Sequence, residues 1–113
     1  MFNMVGPGGP SVLATMVTCA EQHGDWIADL ILTMRQGGRS RVEATPEAET
    51  AWAREVAEVA SASLRSTCNS WYVGSNVPGK ARVFMPYIGG FPKYVEACNR
   101  EAAAGYPGFI FAD

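Results

Sequence analysis

The sequence predicts an α+β chain of three main helices with a few short strands. Three observations carry this. A long apolar periodicity runs from Val12 to Met34 and stops at Gly37-Gly38. A second helical pattern opens at Thr45-Pro46-Glu47, and a third, from Phe91 to Ala104, is followed by the short apolar run Phe109-Ile110-Phe111.

Taken in order, Met1 to Val5 is a short apolar run fit for the end of a strand, and Gly6-Pro7-Gly8-Gly9-Pro10 then breaks regular structure. Ser11 is suited to cap the helix that follows. Leu13, Met16, Val17, Ala20, Ile27, Leu30, Ile31 and Met34 recur at three- and four-residue steps, which predicts one buried helix face. Arg39 to Ala44 reads as a charged connection with a short strand through Val42. Thr45 as N-cap, Pro46 at the first helical position and Glu47 and Glu49 against the helix dipole predict a second helix. Trp52, Val56, Val59, Ser63 and Leu64 repeat at helical spacing to about Arg65, with Trp52 as an apolar anchor. Val83 to Ile88 reads as a strand that Pro86 confines to an edge or bend. Gly89-Gly90 leads into the third helix, with Phe91, Tyr94, Val95, Cys98 and Ala102 inward and Gly105 as its stop.

Composition narrows the function classes. With 113 residues the chain can form one modest core. Its 48% hydrophobic content and mean hydropathy near zero are globular values, and its apolar runs are too short to span a membrane. A net charge of −2 with scattered Lys and Arg argues against nucleic acid as a partner. Cys19, Cys68 and Cys98 are odd in number and lack CxxC spacing, so they read as reduced thiols in a cytoplasmic protein, with no metal site. No charged segment followed by an apolar run opens the chain, so no secretory signal is expected. His23, the single histidine, lies near the apolar face of the first helix and reads as structural.

Two glycine-rich stretches invite nucleotide readings. Gly6-x-Gly8-x-x-Ser11 lacks the third glycine of a dinucleotide fingerprint, and Pro7 and Pro10 remove backbone donors. Gly74 to Lys80 has P-loop spacing, but Ala81 stands where a hydroxyl must hold magnesium and Pro78 removes an N–H. The helix N-terminus nevertheless favours negative charge near residues 11–16. The stretch from Cys68 to Lys80 has little periodicity: Trp71 and Tyr72 are followed by glycines, Asn76, Pro78 and Lys80. Such a loop can lay an aromatic face over a ligand and move on glycine hinges. Asn76 and Gly79 fit a tight turn with positive φ.

Asn69-Ser70-Trp71-Tyr72-x-Gly74-x-Asn76-x-Pro78-Gly79-Lys80, with Arg82-Val83-Phe84-Met85-x-Tyr87-x-Gly89-Gly90 behind it, resembles the C-terminal region of Baeyer–Villiger monooxygenases. Gly6-Pro7-Gly8-Gly9-Pro10-Ser11-Val12-Leu13, Glu21-Gln22-His23, Asp25-Trp26-Ile27 and Gly105-Tyr106-x-Gly108-Phe109 extend the resemblance over essentially the whole chain. It implies the C-terminal part of a flavoprotein with two dinucleotide-binding domains, each needing roughly 150 residues of its own. On that reading residues 1–113 are a single C-terminal fragment: 1–38 a flavin-proximal loop and helix, 39–65 a second helix, 66–90 a cofactor-lid loop and strand, and 91–113 a terminal helix and strand. The family inserts one oxygen of O₂ beside a ketone carbonyl, using FAD and NADPH, to give esters or lactones. The resemblance implies that Trp71 meets the nicotinamide cofactor, with Lys80 able to add charge toward a phosphate, and that Met16 lies at the flavin. It also implies that Ser11, Val12, Leu13 and Pro86 line the substrate pocket. No catalytic residue is expected in this stretch; the expected partners are the N-terminal FAD and NADP domains of the same enzyme and a ketone, with neither nucleic acid nor membrane.

Two other readings fit less of the sequence. A small autonomous interaction domain would use Trp71, Tyr72 and Phe91 as partner anchors and bury its own apolar faces. A related flavin-dependent hydroxylase would share the first helix but lack the Trp71-to-Lys80 loop.

Overall fold

The computed structural model describes residues 1–64 and 67–113. Its elements are α1 (Met16–Gln36), β1 (Arg41–Ala44), α2 (Pro46–Ser61), a 3-10 turn (Trp71–Val73), α3 (Phe91–Ala103) and β2 (Phe109–Ala112). The two strands pair antiparallel, Arg41 opposite Ala112 and Ala44 opposite Phe109. This is the expected α+β architecture of three helices with short strands. The expected end of the second helix at Arg65 lies outside the described residues.

Helix boundaries follow from local chemistry. The Thr45 hydroxyl accepts from the Ala48 N–H at 3.1 Å and Pro46 starts α2, as its sequence requires. Helices α1 and α3 both end in a glycine-centred reversal. Gly38 and Gly105 take φ of 67° and 78°, and the next residues, Arg39 and Tyr106, donate back to Met34 and Glu101.

Three expectations are corrected. Ser11 does not cap α1, which begins at Met16 with Thr15 at the cap position. The reason is a tight turn: the Leu13 N–H bonds the Ser11 carbonyl at 2.7 Å and Val12 sits at φ 69°, outside helical geometry. Met1–Val5 is not a strand, since the chain turns at Met4-Val5 with Val5 at φ 54°. Residues 83–88 are extended without forming a strand; Tyr87 makes one isolated parallel bridge to Pro10. Their backbone bonds go to two separate loops, so no ladder develops.

The buried stripe of α1 is Cys19, His23, Leu30 and Met34, whereas Leu13, Met16 and Val17 stay exposed. Leu30, Met34 and Tyr106 form one core, covered by Trp26, Val42, Ala102, Phe109 and Phe111. Ala60, Val73 and Phe84 form a second, with Tyr72 and Ile88 against it. Trp52, Tyr87 and Tyr94 form a separate aromatic group. Trp52 stacks on Tyr87 at 5.2 Å and meets Tyr94 edge-on at 5.8 Å, which bears out its role as an anchor. The inward face expected for α3 is half-buried throughout.

Leu30 is fully buried and Leu32, two residues on, is exposed. Leu30→Ala should therefore cost about 2–5 kcal/mol, and Leu32→Ala under about 0.5 kcal/mol, as read from urea unfolding.

Candidate functional site

Three backbone hydrogen bonds build the site. The Met85 N–H donates to the Tyr72 carbonyl at 3.1 Å, joining the extended segment to the Trp71-to-Lys80 loop. The Gly8 N–H donates to the Met85 carbonyl at 2.7 Å, and the Tyr87 N–H donates to the Gly9 carbonyl at 2.9 Å. The segment around Pro86 is thus clamped between the glycine-rich loop and the aromatic loop. Pro86 itself is buried between its two bonded neighbours. Trp52 adds a fourth tie, its indole N–H donating to the Gly8 carbonyl at 3.1 Å.

Downstream of this clamp the glycine loop carries Ser11 and Val12, half-buried, and then Leu13, Met16 and Val17, which are exposed. Val12, Leu13, Met16 and Val17 present an apolar surface at the start of α1, with Ser11 beside it. The first-turn positions do not pack into this chain's core, which leaves them available to something outside it.

Trp71 and Tyr72 divide the work of the aromatic loop. Their rings stack at 4.0 Å. Tyr72 packs on the second core, 6.0 Å from the Phe84 ring, while Trp71 is 63% exposed. The three tryptophans differ in what their N–H groups do. Trp26 donates to the Cys98 carbonyl at 3.0 Å and Trp52 to Gly8, but among the described residues the Trp71 indole N–H has no hydrogen-bond partner. One anchored ring therefore supports another whose face and donor are free.

Gly74, at φ 69°, closes the 3-10 turn with its N–H on the Trp71 carbonyl at 3.0 Å. The Lys80 side chain folds across this glycine, Cδ lying 3.4 Å and Nζ 3.9 Å from where a Cβ would stand. Lys80 and Trp71 are thereby gathered at one turn, and Lys80 makes no ion pair among the described residues. Gly79 has the expected positive φ of 77°; Asn76 does not.

His23 anchors the other side of the glycine loop. Its Nδ1 accepts from the Val5 N–H at 2.9 Å, its ring lies 5.4 Å from Tyr94, and burial lowers its pKa. Burial also raises Cys19, Cys98 and Tyr94, so these groups stay neutral. An open cleft of about 690 Å³ lies between α2 and α3, with Trp26, Trp52, Val56 and Cys98 among its walls and the clamp residues Gly8 and Met85 at its edge. None of Ser11, Val12, Leu13, Met16, Trp71, Lys80 and Pro86 lines it. Among the described residues no cluster of His, Cys, Asp or Glu suits a metal ion, and no helix is long and apolar enough to cross a membrane.

Sequence reasoning placed Trp71 and Lys80 in one loop, which the structure gathers at Gly74. It missed the clamp, because backbone bonds between Gly8 and Met85 leave no trace in side-chain identity. The Val5–His23 bond had one signal: a single histidine on α1, whose pattern put it near the buried face.

No family model matches the chain. Similarity to individual proteins is nevertheless extensive. An acetone monooxygenase (methyl acetate-forming) of Gordonia sp. strain TY-5 is 46% identical over 113 residues, covering 99% of this chain and 21% of the relative. A Baeyer–Villiger monooxygenase of Pseudooceanicola batsensis is 35% identical over 109 residues, covering 96% and 20%. An oxidised steroid monooxygenase solved with NADP superposes with a TM-score of 0.88 at 45% identity, over 99% of this chain and 20% of that one. OTEMO, solved in complex with FAD and NADP, does so at 0.85 and 29% identity, over 98% and 20%. The chain spans about one fifth of the length of these proteins. In sequence and fold it matches a segment of these monooxygenases. More narrowly, it matches the C-terminal part of the Baeyer–Villiger monooxygenases.

A Cβ on Gly8 would stand 2.8 Å from Trp52 Nε1, at a backbone φ of 78°. Gly8→Ala should cost about 1–3 kcal/mol and shift the Trp52 indole resonance, as read by urea unfolding and nitrogen-15 NMR.

Proposed function

We propose that this chain is the wall and cover of a monooxygenase site that oxidises ketones to esters or lactones with FAD and NADPH. The observation that carries it is the exposed Trp71 indole, its N–H unspent, held on an anchored Tyr72 and beside the uncommitted Lys80 cation. An indole of this kind offers a flat apolar face and one donor, which suits a ribose or phosphate of NADP. Lys80 adds a point charge of the sign a phosphate needs. The residues present therefore fit a dinucleotide lying over the loop.

FAD, when bound and reduced by NADPH, supplies the oxygen chemistry. Everything else asked of this chain is positional. Leu13, Met16 and Val17 offer an apolar surface to the flavin and ketone side, with Ser11 and Val12 at its edge. Pro86 fixes the segment behind them. Trp71 closes over the dinucleotide and keeps water from the reacting centre. The loop can move on Gly74 and Gly79, both at positive φ, while the clamp at Met85 holds its base. The remaining four fifths of such an enzyme would hold both cofactors, so partners of this chain are the FAD and NADP domains of its own polypeptide. The exposed apolar residues at the start of α1 favour this over an autonomous interaction domain.

The isolated 113 residues should retain no FAD and form no lactone from a cyclic ketone. Grafted in place of the matching fifth of the Gordonia acetone monooxygenase, the chain should restore ester formation. Trp71→Ala in that graft should weaken NADP⁺ binding roughly tenfold, about 1.4 kcal/mol, with a matching loss of ester per NADPH consumed. Unchanged NADP⁺ affinity would exclude Trp71 from the dinucleotide site.

A further inference from the structure

We infer that His23 is a positioning residue whose neutral imidazole latches the glycine-rich loop to α1, and that protonating it releases the loop bearing Ser11, Val12 and Leu13. The latch is one hydrogen bond with a fixed direction. The Val5 N–H points at Nδ1 from 2.9 Å, so Nδ1 must carry a lone pair and the neutral ring's proton sits on Nε2. Nε2 is buried and has no hydrogen-bond partner. The ring is thus used through one nitrogen only, in a setting that does nothing to stabilise a second proton. A proton on Nδ1 turns the acceptor into a donor facing another donor, and the bond is lost.

The latch is coupled to the loop by contact. The imidazole Cε1 lies 3.4 Å from where a Cβ on Gly9 would stand, and the Gly9 N–H bonds the Gly6 carbonyl at 3.0 Å. Val5 and Gly9 therefore bracket the turn from both ends. Gly8 and Gly9 are in turn the residues that hold Met85 and Tyr87.

The groups facing His23 leave its neutral form favoured. From α3 come Tyr94 and, bonded to it, Cys98; from α1, one turn earlier, comes Cys19; burial raises the pKa of all three, so none brings a negative charge. The amino-terminal segment brings a backbone N–H. No carboxylate bonds the ring among the described residues, and burial lowers its pKa. The sign follows: the latch is closed above the unfolded value of about 6.5 and opens as pH falls through the lower folded value.

This rests on the proposed function only for its consequence, the placement of Ser11 to Leu13 at a substrate pocket. The latch itself is read without any cofactor, on the nitrogen-15-labelled 113-residue chain titrated from pH 8 to 4.5. The amides of Val5 and Gly9 should shift together with the His23 Cε1–H, at one midpoint below about 6.5. His23→Asn, whose side-chain oxygen replaces Nδ1 as acceptor without titrating, should keep the Val5 amide in its high-pH position throughout. Val5 and Gly9 amides that stay unmoved while the imidazole titrates in the parent chain would overturn the latch. So would an Asn variant whose Val5 and Gly9 amides titrate as in the parent.

Discussion

The rest of the site depends on the clamp formed by Gly8, Gly9, Tyr72, Met85 and Tyr87 through backbone hydrogen bonds alone. Each such bond contributes a net of about 1 kcal/mol, which is modest. Their geometric effect is larger than their energy. They fix the glycine loop before α1 and the aromatic loop before α3 to a common strip of extended chain. Segments more than sixty residues apart in sequence thereby become neighbours. Two aromatic systems reinforce the arrangement: Trp52 and Tyr87 stack on one side, Tyr72 and Phe84 pack on the other.

This division explains why a chain with two small cores leaves large apolar residues outside them. Leu30, Met34 and Tyr106 hold the helical end together, and Ala60, Val73 and Phe84 hold the loop end. Neither core reaches Leu13, Met16, Val17 or Trp71. Those side chains would cost free energy in water if they served nothing, and they lie on the two loops that the clamp joins or on the first turn of α1. The correspondence with one fifth of far longer monooxygenases gives them a reason to be there.

The helices were largely legible because their signals are local. Thr45-Pro46 and the glycines at 37–38 and 105 act on backbone groups a few residues away, and the structure uses each as expected. The start of α1 was not legible. Ser11 carries a good capping side chain, but the turn at Val12 overrides it, and a positive φ at a β-branched residue is not signalled by composition. The segment at 83–88 reads as an edge strand, yet a strand needs a neighbour, and its neighbours are loops. Of the site residues, Trp71 and Lys80 could be grouped because one short turn contains both. The buried role of His23 toward Val5 and the bonds from Gly8 to Met85 are long-range, and no spacing rule reaches them.

The most direct test of the account is hydrogen exchange at the amides of Gly8, Met85 and Tyr87. If the clamp joins the two loops, all three exchange together and at least about a hundredfold more slowly than an unstructured chain, which is about 2.7 kcal/mol of protection. Exchange of these amides at the rate of free peptide, with the Leu30 helix still protected, would mean that the two loops are independent and that no common site is built between them.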